Sequence, residues 1–203
     1  MRKSKYAVHQ GANKRALNDY YPTPEKIVER MAREFLDVQI NALKMGNVRP
    51  PIPVWEPCAG DGRIAEAIRS HGVEAIETDI ATGQDFFDYD TPMSPILMTN
   101  PPFSRIREFI DHAFRIGVFS MALVCSERLW ACKKGRAQFL KYRPSRFAMM
   151  DWREDYLGKG GSPDRALAVA IWEEPCAHIC RYEVWSKEAE LYPKFDFTSF
   201  ERG

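Results

Sequence analysis

The sequence of 203 residues contains no hydrophobic run long enough to cross a membrane, since the longest, around residues 118–125, falls far short of the roughly 20 residues that a bilayer requires. The five cysteines are odd in number and lack the spacing of a disulfide framework, which predicts reduced thiols and a cytoplasmic location. Only 12 glycines and 14 prolines are present, too few for a collagen-like or low-complexity chain. Hydrophobic residues make up 45% of the chain and aromatic residues 12%, which is enough to form the core of one domain.

Acidic residues are missing from two segments of a chain whose formal net charge is only +1. Residues 1–18 carry five Lys and Arg side chains, and residues 128–146 carry seven. Such segments fit contact with a polyanion, although an ordinary solvated surface gives the same pattern. We expect residues 1–18 to form a flexible basic arm and residues 19–203 a single domain, with short recognition loops at about 126–141 and 153–165. The predicted contacts to nucleic acid are Lys133, Lys134, Arg136 and Lys141.

Predicted strands and helices alternate along most of the chain. The first helix takes Thr23 as its N-cap and ends before Gly46. The last two strands flank a Gly-Gly-Ser-Pro loop, which predicts an antiparallel hairpin. The alternation as a whole predicts an α/β fold with a mostly parallel sheet covered on both faces. The expected strands are residues 54–57, 73–80, 94–99, 119–125, 146–151 and 166–172.

Two features follow the first two predicted strands, at the sheet edge where α/β proteins bind ligands. Residues 56–62, Glu-Pro-Cys-Ala-Gly-Asp-Gly, form a glycine turn that lets the backbone approach a ligand, ahead of a helix N-terminus that favours an anionic group. A plain tight turn has the same composition. Asp79 ends the next strand, where an acidic side chain can accept hydrogen bonds from both ribose hydroxyls of a nucleoside. The alternative for Asp79 is a surface residue that caps the strand.

A third feature, Asn-Pro-Pro-Phe at residues 100–103, follows the third predicted strand. The two prolines fix the backbone and remove two donors, so that the carbonyl of Pro101 is left to accept from outside the chain. The amide oxygen of Asn100 is a second acceptor. With the ring of Phe103 beside them, these acceptors are suited to the exocyclic amino group of a planar base. A rigid proline turn is the simpler alternative.

On these motifs the chain resembles S-adenosylmethionine-dependent DNA adenine-N6 methyltransferases, in the γ order of motifs and among small phage-type members. The resemblance covers roughly residues 19–174 and includes a Tyr-x-Thr-Pro motif at residues 21–24. It implies a Rossmann-like methyltransferase fold with a seven-stranded sheet, S-adenosyl-L-methionine as cofactor, and transfer to the N6 amino group of adenine in DNA. It implies catalytic roles for Asn100, Pro101, Pro102 and Phe103, and cofactor contacts from Tyr21, Thr23, Glu56, Cys58, Ala59, Gly60, Gly62, Asp79, Ile80, Asp85 and Phe86.

The sequence departs from the family pattern in two places. Phe103 stands where many members carry Tyr, which keeps stacking and loses a hydroxyl. The chain beyond the predicted hairpin is short, which leaves little room for a target-recognition domain and predicts a short or relaxed target sequence. In duplex DNA the target base must be flipped out and stacked on Phe103, with a second ring from Trp152 or Tyr156.

Other activities remain open at this level. Methyltransferases of RNA adenine and of protein glutamine also use Asn-Pro-Pro-aromatic, and cytosine-N4 methylation is a further alternative. A rival of another class is a non-catalytic adaptor that binds cofactor and nucleic acid, against which the intact residues 100–103 argue. The oligomeric state is open, and a dimer would pool two sets of loops.

Two thiols and an imidazole, from Cys176, His178 and Cys180, lie on one face of a further predicted strand. Their spacing is not that of a zinc knuckle, and zinc would need a fourth ligand such as Cys132. We therefore interpret them as core or edge-strand residues and expect no metal site. We interpret His112 as a surface residue.

Overall fold

The computed structural model describes residues 22–45, 52–153, 166–173 and 177–186. The proposed basic arm, Tyr21, Tyr156, Cys176 and nearly all of the second recognition loop lie outside these ranges.

Helices and strands alternate through the described residues, as the sequence predicts. Short 3-10 helices at Ile80–Thr82 and Phe86–Asp88 follow the second strand. The helices are α1 (Glu25–Met45), α2 (Arg63–Ser70), α3 (Ile106–Ile116) and α4 (Lys133–Lys141). The strands are β1 (Val54–Glu56), β2 (Ala75–Glu77), β3 (Ile96–Thr99), β4 (Ser120–Ser126), β5 (Arg146–Met150), β6 (Leu167–Trp172) and β7 (Arg181–Trp185).

The strands form one sheet in the order β2-β1-β3-β4-β6-β5-β7. Strand β6 is antiparallel to both of its neighbours, β4 and β5, and every other pairing is parallel. The mostly parallel, seven-stranded sheet and its antiparallel β5–β6 hairpin are therefore confirmed. The parallel strands end at one edge, so the segments that follow β1, β2 and β3 lie next to one another.

The core has two layers, one on each face of the sheet. Helices α1 and α2 cover one face with Met31, Phe35 and Ile68 among its fully buried side chains. Helix α3 covers the other face, where Phe109 packs with Trp55 and Trp172 of the sheet. Strands β3 and β6 are buried along their whole length, which is typical of central strands enclosed by helices.

Strand β7 and helix α1 are joined to the sheet by a buried ion-pair network around Arg146. Its guanidinium is 2.7 Å from a carboxylate oxygen of Glu34 in α1 and 2.7 Å from one of Glu183 in β7. Arg146 therefore belongs to the interior and not to the basic surface on which the charge count of residues 128–146 had placed it. Arg146 is only 5% exposed, so its charge is balanced by these carboxylates and not by solvent.

Several local predictions were wrong in detail. Helix α1 begins at Glu25, later than a Thr23 N-cap predicts, and β2 is shorter than residues 73–80. Residues 178–180 form a bend before β7 and not a strand, and no cluster of metal-ligating side chains occurs in the described part of the chain.

His112, predicted to lie on the surface, is buried against the rings of Phe86 and Phe87, and burial lowers the pKa of its imidazole. None of the described helices is long and apolar enough to cross a membrane.

The first predicted recognition loop is mostly helical, because α4 occupies Lys133–Lys141. The helix is docked by its small and polar residues: Gly135 is buried, and Gln138 Nε2 donates to the carbonyl of Arg107 at 2.7 Å. A Cβ atom at Gly135 would lie 2.7 Å from the Leu129 carbonyl oxygen and 2.9 Å from Trp130 Cα. The contact at Gly135 packs the basic helix against the loop that precedes it, and the Gln138 hydrogen bond joins the helix to α3.

We expect Gly135→Ala to lower the free energy of unfolding by about 1–3 kcal/mol, because the new methyl group overlaps backbone atoms. The direction of the change distinguishes this packing from an open site, because Gly→Ala at an open helix position raises the free energy of unfolding by as much as about 1 kcal/mol. Urea unfolding measures the effect, with Lys134→Ala, at an exposed site of the same helix, expected to stay within about 0.5 kcal/mol of the unmodified protein. A Gly135→Ala protein of equal or greater stability would contradict this packing.

Candidate active site

A cleft of about 380 Å³ opens at the edge where the parallel strands end. Its size is in the range of small-molecule sites, and its position is the one at which α/β sheets bind ligands. Its walls come from the start of α1 and from the segments after β1, β2 and β3. The predicted site residues that line it are Thr23, Glu56, Cys58, Ala59, Asp79, Ile80, Asp85, Phe86, Asn100, Pro101, Pro102 and Phe103.

The glycine turn after β1 depends on backbone conformations that favour glycine. Gly60 and Gly62 have φ angles of 56° and 81°, and the Gly62 N–H donates to the Ala59 carbonyl at 2.8 Å. A Cβ atom at Gly62 would also lie 3.3 Å from the Glu77 carboxylate. The two glycines shape the turn, whereas Cys58 and Ala59 line the cleft.

Asp79 connects this turn to the end of the second strand. Its Oδ2 accepts the backbone N–H of Gly60 at 2.8 Å, and its Oδ1 accepts that of Ala81 at 2.7 Å. Asp79 also lines the cleft, so this carboxylate forms part of its wall. Ile80, next to it, is 49% exposed and presents an apolar surface there.

Two consecutive aromatic residues form the wall beyond Asp85. Phe86 is buried and stacks on Phe109 at a centroid distance of 4.0 Å, while Phe87 is only half-buried. The guanidinium of Arg105 lies 3.7 Å from the centre of the Phe87 ring, a cation–π contact. Asp85 Oδ1 accepts the Phe87 N–H at 3.0 Å and holds this short helix in place. Neither Phe87 nor Arg105 is predicted from the sequence, because two adjacent aromatic residues carry no periodicity and the contact of Arg105 with Phe87 depends on the fold.

Burial raises the pKa values of two ionisable groups at and just after the end of β1, Glu56 and Cys58. Burial raises the pKa of Glu56 well above its ordinary value, and the charges of Glu77, Asp61 and Asp79 raise it further, against a backbone hydrogen bond from Ala65 that lowers it. Burial, and then the charge of Asp79, also raise the pKa of the Cys58 thiol. Cys58 is therefore a protonated thiol at neutral pH and unsuited to act as a nucleophile.

The Asn-Pro-Pro-Phe turn begins directly after β3, and all four of its residues line the cleft. The carbonyl of Pro102 accepts the Arg105 N–H at 3.0 Å, whereas no donor from the described residues reaches the carbonyl of Pro101. Phe103 is half-buried and packs against the α1–α2 side of the core. The turn therefore presents acceptors and a ring on one wall of the cleft.

Arg63 is a residue of this cleft that the sequence analysis missed. Its Nε lies 3.0 Å from both carboxylate oxygens of Asp61, and its NH1 donates to the carbonyl of Thr23 at 2.5 Å. Arg63 thus joins the glycine turn to the start of α1, which is 40 residues away in sequence. The signal was the Asp-x-Arg that ends the glycine motif, but only the fold brings Thr23 within reach.

The predicted nucleic-acid contacts lie outside the cleft, on α4. Strand β4 ends at the same edge of the sheet as β3, and α4 follows it after a short loop. Trp130 in that loop packs against Phe139 and Trp172, with ring centroids 5.6 and 6.3 Å away. Trp152 is half-buried and packs against the same core layer as Phe103. The exposed basic side chains are Lys133, Lys134, Arg136 and Lys141.

Several solved structures share this fold. A type I restriction-modification methyltransferase subunit from Streptococcus thermophilus is 14% identical, with a TM-score of 0.51, over 76% of this chain and 45% of that one. A candidate RNA methyltransferase from Pyrococcus horikoshii is 15% identical, with a TM-score of 0.56, over 79% of this chain and 88% of that one. A candidate class I S-adenosylmethionine-dependent methyltransferase from Listeria monocytogenes is 9% identical, with a TM-score of 0.52, over 81% of this chain and 65% of that one.

These identities are low, so the likeness establishes the fold alone. The predicted Rossmann-like methyltransferase fold is confirmed. The chain spans less than half of the Streptococcus thermophilus subunit. No protein-family model matches the sequence, and no curated protein matches it.

Replacing Arg63 by Lys keeps the charge but removes the planar group that reaches Asp61 and Thr23 together. We expect the loss of this link, worth about 1 kcal/mol, to speed hydrogen exchange in the first turn of α1 about fivefold. The amides of Ile27 and Val28, which donate to the Pro24 carbonyl, are the ones to follow by mass spectrometry. Arg69→Lys in the same helix is the control, because Arg69 pairs with Glu77. Unchanged exchange in Arg63→Lys would contradict the role of the link.

Proposed function

We propose that this protein transfers a methyl group from S-adenosyl-L-methionine to the N6 amino group of adenine in DNA. The observation that carries the proposal is that the Asn-Pro-Pro-Phe turn and the Asp79-bound glycine turn line one cleft. One wall offers acceptors for an amino group, and the other offers groups suited to a nucleoside. A site that transfers a group to a base needs both.

The cleft residues fit the cofactor in charge and shape. Asp79 would accept from the ribose hydroxyls, while Ile80, Asp85 and Phe86, joined by Phe87, would hold the adenine. Thr23 and the turn from Glu56 to Gly62 would hold the methionine end, with Tyr21 as a further proposed contact. The carboxyl oxygen Oε2 of Glu56 is buried without a hydrogen-bond donor among the described residues, which suits a site for a cation. When bound, the cofactor supplies a methyl group activated by the positive charge on sulfur.

The amino group of adenine is a poor nucleophile because its lone pair is delocalised into the ring. Hydrogen bonds from its two N–H groups to Asn100 and to the Pro101 carbonyl favour a tetrahedral nitrogen whose lone pair is available. Phe103 stacks on the ring and fixes its orientation. These residues act by positioning and by electrostatic stabilisation, so no strong base is required.

A base in a duplex must leave the stack to reach this turn. Phe103 provides one stacking surface for the flipped base. We favour Trp152 for the second, because it is half-buried and packs against the core layer that also supports Phe103. Tyr156, the other candidate, lies outside the described residues.

The basic face of α4 supports nucleic acid as the substrate. Lysine and arginine side chains suit phosphate groups, and phosphate contacts position a protein without reading sequence. We therefore propose a short or relaxed target, little more than the adenine and one or two neighbours. Mapping methylated adenines across a genome checks this, and a single strict motif of many base pairs would contradict it.

RNA is the second candidate substrate, and one observation favours it. This chain covers 88% of the candidate RNA methyltransferase but only 45% of the restriction-modification subunit, which is a much longer chain. Incubation with labelled cofactor and separate DNA, RNA and protein substrates, followed by nucleoside analysis, decides between them. N6-methyladenosine in RNA alone would overturn the DNA assignment, and labelled protein alone would overturn both.

Asn100→Ala tests the catalytic turn. We expect turnover to fall by at least about a hundredfold, the scale for loss of one hydrogen bond that stabilises a transition state. Thermal unfolding checks that the variant is folded. Ser104→Ala, an exposed position in the same turn that we assign no catalytic role, is the control. Near-normal turnover in a folded Asn100→Ala protein would refute the mechanism.

Lys133→Ala combined with Lys134→Ala tests the basic face. Removing two phosphate contacts should weaken binding to all sequences about equally and reduce the slope of log K against log salt by about 2. Fluorescence anisotropy over a range of salt concentrations measures both effects. The control, Arg69→Ala with Arg181→Ala, removes two charges from other elements. A slope that the α4 variant leaves unchanged would exclude α4 from the interface.

A further inference from the structure

Glu56 is a buried carboxyl group in the cleft wall, and the mechanism above assigns no role to its proton. It ends β1, is 1% exposed and lines the cleft wall. Within the described residues, no hydrogen-bond donor reaches its Oε2 atom. A carboxylate in such a place is costly without a positive partner, so a neutral carboxyl group is favoured until one arrives.

The charges around Glu56 do not supply that partner. Glu77, its register neighbour on β2, and Asp61 and Asp79 at the strand ends are all acidic. The nearby guanidinium groups are already paired, Arg63 with Asp61 and Arg69 with Glu77. From α2, the backbone N–H of Ala65 is the group that favours the charged form of Glu56.

The cofactor carries an ammonium group, a sulfonium group and a carboxylate, and therefore a net charge of +1. We propose that Glu56 is the proton-exchange group of the cofactor site, neutral in the free protein and ionised when the positively charged cofactor occupies the cleft. One O–H bond of Glu56 breaks, the proton passes to the buffer, and the carboxylate left behind balances the incoming charge. This inference rests on the proposed function, since it assumes that the cofactor binds here.

Proton release has two measurable consequences. Below the pKa of Glu56 in the free protein, affinity for the cofactor should rise about tenfold per pH unit, because one proton leaves for each molecule bound. Without cofactor, the folded protein holds this proton more tightly than the unfolded chain does. Its contribution to stability is therefore complete below the ordinary pKa of Glu, and is lost as the pH rises toward the raised pKa of the folded state.

Calorimetric titration with S-adenosylmethionine in two buffers of different ionisation enthalpy measures the protons released. For the unmodified protein we expect about one proton per cofactor at a pH below the raised pKa of Glu56, and fewer as the pH rises through it. For Glu56→Gln, which keeps the shape of the neutral side chain, we expect none. Glu74→Gln is the matched control, because Glu74 is an exposed residue just before β2, lies outside the cleft wall and is not among the charges that raise the pKa of Glu56. This variant should release the same number of protons as the unmodified protein.

The outcomes separate this inference from the proposed function. Binding with equal heats in both buffers would overturn the role of Glu56 and leave the function standing, and so would equal proton release in Glu56→Gln. Absence of binding by the unmodified protein would overturn the function itself.

Stability provides a second measurement that does not need the cofactor. The melting temperature of Glu56→Gln should exceed that of the unmodified protein by more at pH 8 than at pH 5, because the amide has no proton to lose. A constant difference between the two pH values would also count against the proposal, and an unfolded variant would contradict the neutral state assigned to Glu56.

Discussion

The cleft depends on the way in which one carboxylate holds two turns together. Asp79 accepts the Gly60 N–H with one oxygen and the Ala81 N–H with the other, so the ends of β1 and β2 are fixed to each other. Beneath them, Trp55 Nε1 donates to Thr78 Oγ1 at 2.9 Å in the buried layer. The two walls that would hold a nucleoside are therefore built before any ligand arrives, which lowers the entropic cost of binding.

The electrostatics of the protein separate two kinds of ligand. The cleft wall contains Glu56, Asp61, Asp79 and Asp85, and of its two guanidinium groups Arg63 pairs with Asp61, while Arg105 pairs with Glu108. Such a surface attracts a cation and repels phosphate. Four exposed positive charges, those of Lys133, Lys134, Arg136 and Lys141, stand on α4, outside the cleft. A cationic cofactor and a polyanionic substrate would thus meet at one edge of the sheet without competing for the same surface.

The shared position of residues that follow parallel strands could be predicted from the sequence. The glycine turn, Asp79 and residues 100–103 each come directly after an apolar strand, and parallel strands bring such ends together. Sequence reasoning failed for α4, whose Lys-Lys-Gly-Arg start has little apolar periodicity and whose docking depends on a missing Cβ at Gly135. It also failed for Arg63, because its contact with Thr23 spans 40 residues and is set by how α1 packs beside α2.

Much of the chemistry proposed for this site resides in the backbone, which is compatible with a fold shared at identities of 9 to 15%. The Pro101 carbonyl and the amides of Gly60 and Ala81 depend on local conformation and not on side-chain identity. Under the proposed mechanism, a small set of positions needs a particular side chain: Asn100 as an acceptor and Asp79 as the bond between the turns. Selection on so few side chains leaves most of the sequence free to diverge. The fold therefore identifies the class of architecture, while the substrate must be argued from the cleft and from α4.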